Sequence, residues 1–142
     1  MMTNVPKALH DFRNFTYLVW QHLGLPEPTP IQYDIADYLQ SSPKRCIIEA
    51  FRGVGKSYIT AAYVVHQLLL DPDKKFMVVS ASKARADDFS TFTQRIITEL
   101  PICRHLVAKD GQRWSKIAFD VAPAKASGSP SVKSVGVTGQ LT

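Results

Sequence analysis

Cysteine is scarce: 142 residues contain two, Cys46 and Cys103. They stand far apart, with no second cysteine or histidine at metal-ligand spacing, which argues against a disulfide framework and against a zinc module. Both read as small apolar fillers in a reducing compartment. Long apolar runs are missing too, so no membrane span is expected. The opening residues 1–7 lack the basic-then-apolar order of an export signal. The four histidines, His10, His22, His66 and His105, fall on different predicted elements with no acid or cysteine at catalytic spacing. Neither a catalytic triad nor a metal centre is indicated. There is no internal repeat, low-complexity run or clear linker.

What is present is ordinary globular material, 45% hydrophobic and 20% charged. That is enough for one core and too little for two comfortable domains. Lysine and arginine number 17 against 12 acids, a formal charge of +5. The excess favours an anionic partner without choosing between DNA, a ribosome or simple solubility.

Apolar residues at Leu9, Phe12, Phe15, Val19 and Leu23 share one face of a helix over residues 7–23, and Gly24 ends it. Pro26, Pro28 and Pro30 form a stiff connector. Thr29 then caps a helix with Pro30 at its first position and Ile31, Ile35 and Leu39 inward. Residues 44–50 read as a buried strand because a glycine-rich turn follows. Residues 56–70 form a helix with Ile59, Tyr63, His66 and Leu70 on one stripe, stopped by the turn Asp71-Pro72-Asp73. A second strand at 76–79 leads to a helix capped by Ser82, lined by Phe89, Phe92, Ile96 and Leu100 and stopped by Pro101. Ile117, Phe119 and Val121 alternate as in a half-buried strand, and Val132, Val135 and Val137 mark another. Alternating strands and helices predict an α/β fold: a parallel sheet covered on both faces, with ligand at the carboxyl ends of the strands.

The sharpest chemical signal is Ala50-Phe51-Arg52-Gly53-Val54-Gly55-Lys56-Ser57, set between a predicted strand and a predicted helix. That is the context of a phosphate-binding loop. Gly53 and Gly55 let the backbone approach phosphate oxygens, and amides at the helix start face the anion. Lys56 supplies a point charge, and Ser57 can ligate magnesium. The usual first glycine is replaced by Ala50, which fits where φ is negative.

Arg52 has two readings, a guanidinium acting on the γ-phosphate or a surface arginine paired with an acid. Gln32 suits the edge of an adenine ring and equally an ordinary helix start. The run Ser80-Ala81-Ser82-Lys83-Ala84-Arg85 reads either as a phosphate contact or as a plain cap made by Ser82. Arg104, His105, Lys109, Arg113 and Lys116, with Trp114 among them, form either a phosphate-tracking surface or a solvated basic loop.

Taken in order, Thr29-Pro30-Ile31-Gln32, the arginine-bearing loop, Ser80-Ala81-Ser82 with Leu100-Pro101, Ser131 to Gly136, and the closing Val137-Thr138-Gly139-Gln140-Leu141-Thr142 form a recognisable series. It resembles the large terminase subunit of tailed bacteriophages, especially the DNA maturase B type of short-tailed phages. The resemblance implies a P-loop NTPase core with residues 1–43 as a helical lead-in carrying the adenine-side Gln32 and residues 44–142 as the α/β core. ATP and Mg2+ are the implied ligands, bound by Lys56 and Ser57 with Arg52 acting in cis. The implied partners are double-stranded DNA, the portal protein and the small terminase subunit, in a homo-oligomeric ring on the capsid portal in the host cytoplasm, with no membrane.

Such a motor needs a strand ending in an aspartate that holds magnesium, followed by a glutamate that activates water. Neither is found after Val137, and Asp120 is followed by Val121 where the glutamate belongs. No carboxylate cluster for a two-metal nuclease is present. The expectation is therefore an ATPase part incomplete at its C-terminus, without the nuclease domain and with little turnover of its own. A helicase-type motor shares the first two motifs, although Arg52 argues against it. A non-catalytic module that holds DNA or the portal by its basic face is the reading from another class.

Overall fold

Asp11 decides where the first helix begins. Its carboxylate accepts from the Arg13 backbone N–H at 3.0 Å, so α1 spans Phe12–His22 behind a separate 3-10 turn, Lys7–His10. An aspartate competes for nearby amides and so favours the cap over the helix interior. The single helix expected from residue 7 is divided there. The computed structural model describes residues 5–42 and 55–137. The strand expected at 44–50 lies outside them.

At its other end α1 closes as expected on Gly24, at φ 73°, with the Leu25 N–H donating to Trp20 O at 2.9 Å. This six-to-one bond satisfies a terminal carbonyl that the helix itself leaves open. α2 (Pro30–Ser41) starts on the predicted cap, Thr29, with Pro30 in the first turn. Ile35 is buried, whereas Ile31 is 47% exposed, because the first turn stands proud of the core that Ile35 and Ala36 enter. Gln40 on α2 ties the two helices by accepting from Phe12 N–H at 3.0 Å and donating to His10 O at 2.7 Å.

α3 (Lys56–Leu70) is central. α1, α2 and α4 all pack against it, and eight of its fifteen residues are buried. The expected single stripe is too narrow: Ala61, Ala62, Val64, Val65, Leu68 and Leu69 are buried along with Ile59 and His66. A helix covered on several sides needs small and apolar residues nearly all round.

β1 (Phe76–Ser80) leads into α4 (Lys83–Glu99), capped as predicted by Ser82 Oγ accepting from Arg85 N–H. A 3-10 turn, Pro101–Leu106, follows α4. β2 (Ala118–Phe119) and β3 (Val132–Gly136) complete a sheet ordered β1-β3-β2. β1 and β3 run parallel, from Phe76 opposite Val132 to Ser80 opposite Gly136. β2 is antiparallel to β3, with Phe119 opposite Val132. The α/β class holds, but the described sheet is mixed and not wholly parallel as expected. Trp114 bridges to Phe119, and Ser115 N–H donates to Ala118 O at 2.9 Å, so residues 113–120 form a tight hairpin. The two strands of this hairpin are antiparallel to each other, and its turn leaves Ile117 45% exposed. Among the described residues the sheet is not covered throughout: Met77 and Val79 on β1 are 64% and 53% exposed.

Two close approaches set this packing. A Cβ at Gly136 would fall on the backbone of Ser82 and Lys83, so β3 ends directly against the start of α4. His66, fully buried between Phe12 and Phe15, makes a 2.7 Å hydrogen bond from Nε2 to Leu9 O, while its buried Nδ1 has no partner among the described residues.

Gly136→Ala must push β3 away from α4, since backbone and not a flexible side chain stands in the way. We expect a loss of at least about 2 kcal/mol, read as a lower urea midpoint. Burial depresses the pKa of His66, and its bond to Leu9 only partly opposes this. The unfolded chain therefore binds a proton before the folded one does. Stability contributed by neutral His66 is complete above pH of about 6.5 and is lost as pH falls below it toward the depressed folded value. Urea midpoints measured from pH 7.5 downward should fall in that window, and His66→Phe should flatten the fall; an equal slope in the variant would refute the assignment.

Candidate functional site

Gly55 carries the backbone from the predicted loop into α3. It is the N-cap, at φ 90° and ψ 25°, the left-handed region that glycine enters freely. Lys56 and Ser57 are then the first two residues of the helix, half-buried and exposed respectively. Helix N-termini carry unpaired N–H groups and about half a unit of positive charge, so an anion is stabilised there. The other predicted loop residues, Ala50, Phe51, Arg52, Gly53 and Val54, lie outside the described residues.

Gln32 comes to the same place from α2. Its Nε2 lies 3.1 Å from where a Gly55 Cβ would be. Its Oε1 accepts from the Thr29 N–H at 3.0 Å, and its own N–H donates to Thr29 Oγ1 at 3.2 Å, a reciprocal capping box. Part of the ordinary helix-start reading is thus observed, with the amide nitrogen end turned toward the loop's last glycine. The distance in sequence, Gln32 to Gly55, hides a neighbourhood that α2 packing on α3 creates.

Asp120 is elsewhere and committed. It follows β2, whose end lies beside the start of β3. Its carboxylate takes three bonds from Arg113: backbone N–H at 2.9 Å, Nε at 3.1 Å and Nη2 at 3.1 Å. Burial alone would raise the Asp120 pKa, but the Arg113 side-chain and backbone hydrogen bonds outweigh it and hold it below the ordinary carboxylate range. Arg113 also donates to Ser127 O and Gly128 O, both at 2.9 Å. Arg113 is therefore an internal clamp and not a freely solvated member of the basic stretch. The signal lay in the hairpin: residues 113 and 120 oppose each other as soon as Trp114 pairs with Phe119.

Trp114 is also absorbed, edge-on to Phe119 with ring centroids 5.2 Å apart. Ser82 caps α4, and Lys83 pairs with Asp87 at 2.9 Å, so the cap reading of that segment is observed. Cys103 is buried as expected, its thiol pushed up to about 12 by burial, while Cys46 lies outside the described residues. Among the described residues no group of three or more His, Cys, Asp or Glu is placed to hold a metal ion. Nor is any helix among them long and apolar enough to cross a membrane.

Against known proteins, the chain is 53% identical over 133 residues to the large terminase subunit of Enterobacteria phage T3. It is a relative of a phage large terminase subunit. The match takes in 93% of this chain, which bears out the resemblance read from the motifs. It spans 23% of the length of the phage T3 terminase subunit. No family model matches the chain.

Gly55→Ala would force a left-handed alanine and crowd Gln32 at once. The expected cost is about 1–2 kcal/mol. In thermal unfolding it should exceed the cost of Gly24→Ala, where a Cβ meets nothing within 4 Å; equal costs would mean that crowding of Gln32 adds nothing.

Proposed function

We propose that this chain is the ATP-binding part of a viral DNA-packaging motor, with a P-loop NTPase core. The observation that carries the reading is the 53% identity to a phage large terminase subunit across 93% of the chain. The geometry of α3 fits the proposed ligand. Gly55 removes any side chain from the helix entry, and the first turn offers N–H groups, an ammonium and a hydroxyl together.

In this reading the amides at the start of α3 and Lys56 bind the phosphates. Ser57 is the magnesium ligand, and Arg52 neutralises charge on the γ-phosphate. Ala50, Phe51, Gly53 and Val54 are the remaining nucleotide-binding residues of this reading. Gln32 meets adenine, its side-chain amide carrying a donor and an acceptor together and its Nε2 lying at the loop's last glycine. Magnesium, when bound, supplies positive charge at the phosphates and shields their repulsion. Asp120 takes no part, since Arg113 already neutralises it. Double-stranded DNA, the portal protein and the small terminase subunit are the proposed partners of the intact protein, which acts as a homo-oligomeric ring that couples ATP hydrolysis to DNA movement.

Titration of the chain with a fluorescent ATP analogue and Mg2+ tests the assignment. Lys56→Ala should weaken binding at least about tenfold, a difference of about 1.4 kcal/mol. Because Lys56 is half-buried, Lys56→Met is the companion variant, keeping the aliphatic stem and losing only the charge. Unchanged affinity in both folded variants would sink the nucleotide site.

A further inference from the structure

A cleft of about 670 Å³ opens between the turn at residues 109–112 and the loop at residues 124–127, and the proposed nucleotide site does not use it. Both walls are tied in place. Gln112 Oε1 accepts from Lys109 N–H at 2.7 Å, and its Nε2 donates to Ala122 O at 3.4 Å. Arg113 joins the hairpin to Ser127 and Gly128. Lys125 N–H donates to Asp73 at 2.9 Å, which fixes the loop to the turn between α3 and β1. The cleft is therefore preformed and adjoins the C-terminal end of α3. Lys56 stands at the other end of that fifteen-residue helix, a rise of about 22 Å.

The charged lining residues are Lys109, Asp110, Arg113, Asp120 and Lys125. Arg113 and Asp120 neutralise each other, leaving two ammoniums against one carboxylate. Lys109 and Lys125 are exposed, and neither has an ion-pair partner among the described residues. Lys74 and Lys75 lie at the same end of the molecule, where the exposed Asp71 and Asp73 offset their charge, so the excess rests on Lys109 and Lys125. The cleft is open to solvent, so a long polyanion can lie across it. Trp114 packs on Phe119 and offers no stacking platform, which disfavours single-stranded nucleic acid. Lysines on tied loops suit phosphates of a duplex held without regard to sequence.

We propose that Lys109 and Lys125 hold backbone phosphates of double-stranded DNA in this cleft. The choice of DNA rests on the packaging reading, whereas the site rests on the cleft itself. Placement at the far end of α3 separates the duplex from the nucleotide, so each can be removed without the other.

The test is fluorescence anisotropy of a short labelled duplex of mixed sequence, titrated with the whole chain between about 50 and 200 mM salt. In Lys109→Gln/Lys125→Gln the slope of log affinity against log salt should fall by about 2, one for each phosphate that is no longer neutralised. Affinity at low salt should drop at least about tenfold, equally on an unrelated duplex. An unchanged slope would overturn the proposal, as would an equal drop in the charge-matched control Lys7→Gln/Lys83→Gln. Nucleotide binding is measured on the same samples. A wild-type chain that binds nucleotide but no duplex refutes the cleft and leaves the nucleotide reading standing. A chain that binds duplex through these two lysines, but no nucleotide, supports the cleft and refutes the nucleotide site.

Discussion

The enclosure of α3 is the constraint on which the other elements depend. With α1, α2 and α4 packed around it, its residues must be small or apolar on several sides, and alanines and valines supply close approach between helix axes. A helix so enclosed has little freedom to shift along its axis, so its N-terminal turn is presented at a set place. Gly55 enters that turn from the left-handed region, and Gln32 reaches it from α2 because α2 is held by the same packing. The position of Lys56 and Ser57 is thus a consequence of core packing some distance from them.

Helix boundaries are legible in the sequence wherever one residue does one local job. Thr29, Ser82, Gly24 and Pro101 act on their own neighbours, and each stands where its chemistry says it should. Features set by several elements together are not legible. Periodicity gives α3 one apolar stripe, but the number of helices packed on it is a tertiary fact. That β2 pairs antiparallel to β3 is a tertiary outcome, which alternation at Ile117, Phe119 and Val121 does not reveal. Ile31 fits the helical period and still lies outside the core, because the period does not say how far the core extends.

The candidate site divides in the same way. The proposed phosphate loop shows in the sequence because its glycines, lysine and serine fall within five positions, Gly53 to Ser57. Gln32 beside Gly55 and Arg113 beside Asp120 are pairs that only folding brings together. The basic stretch shows the limit most clearly. Between Arg104 and Lys116 the cations look alike in sequence, yet Arg113 is spent on holding a loop while Lys109 opens onto solvent.

The parallel pairing of Phe76 with Val132 joins residues more than fifty positions apart. As the chain emerges from the ribosome, α1, α2 and α3 can assemble early, because the segments they need precede residue 71. β1 emerges next, well ahead of the β3 with which it pairs, and α4 must form and the hairpin must turn before β3 arrives. Until then the edge of β1 that β3 covers stays open, so closure of this one long-range pair, and not the forming of any helix, completes the described sheet.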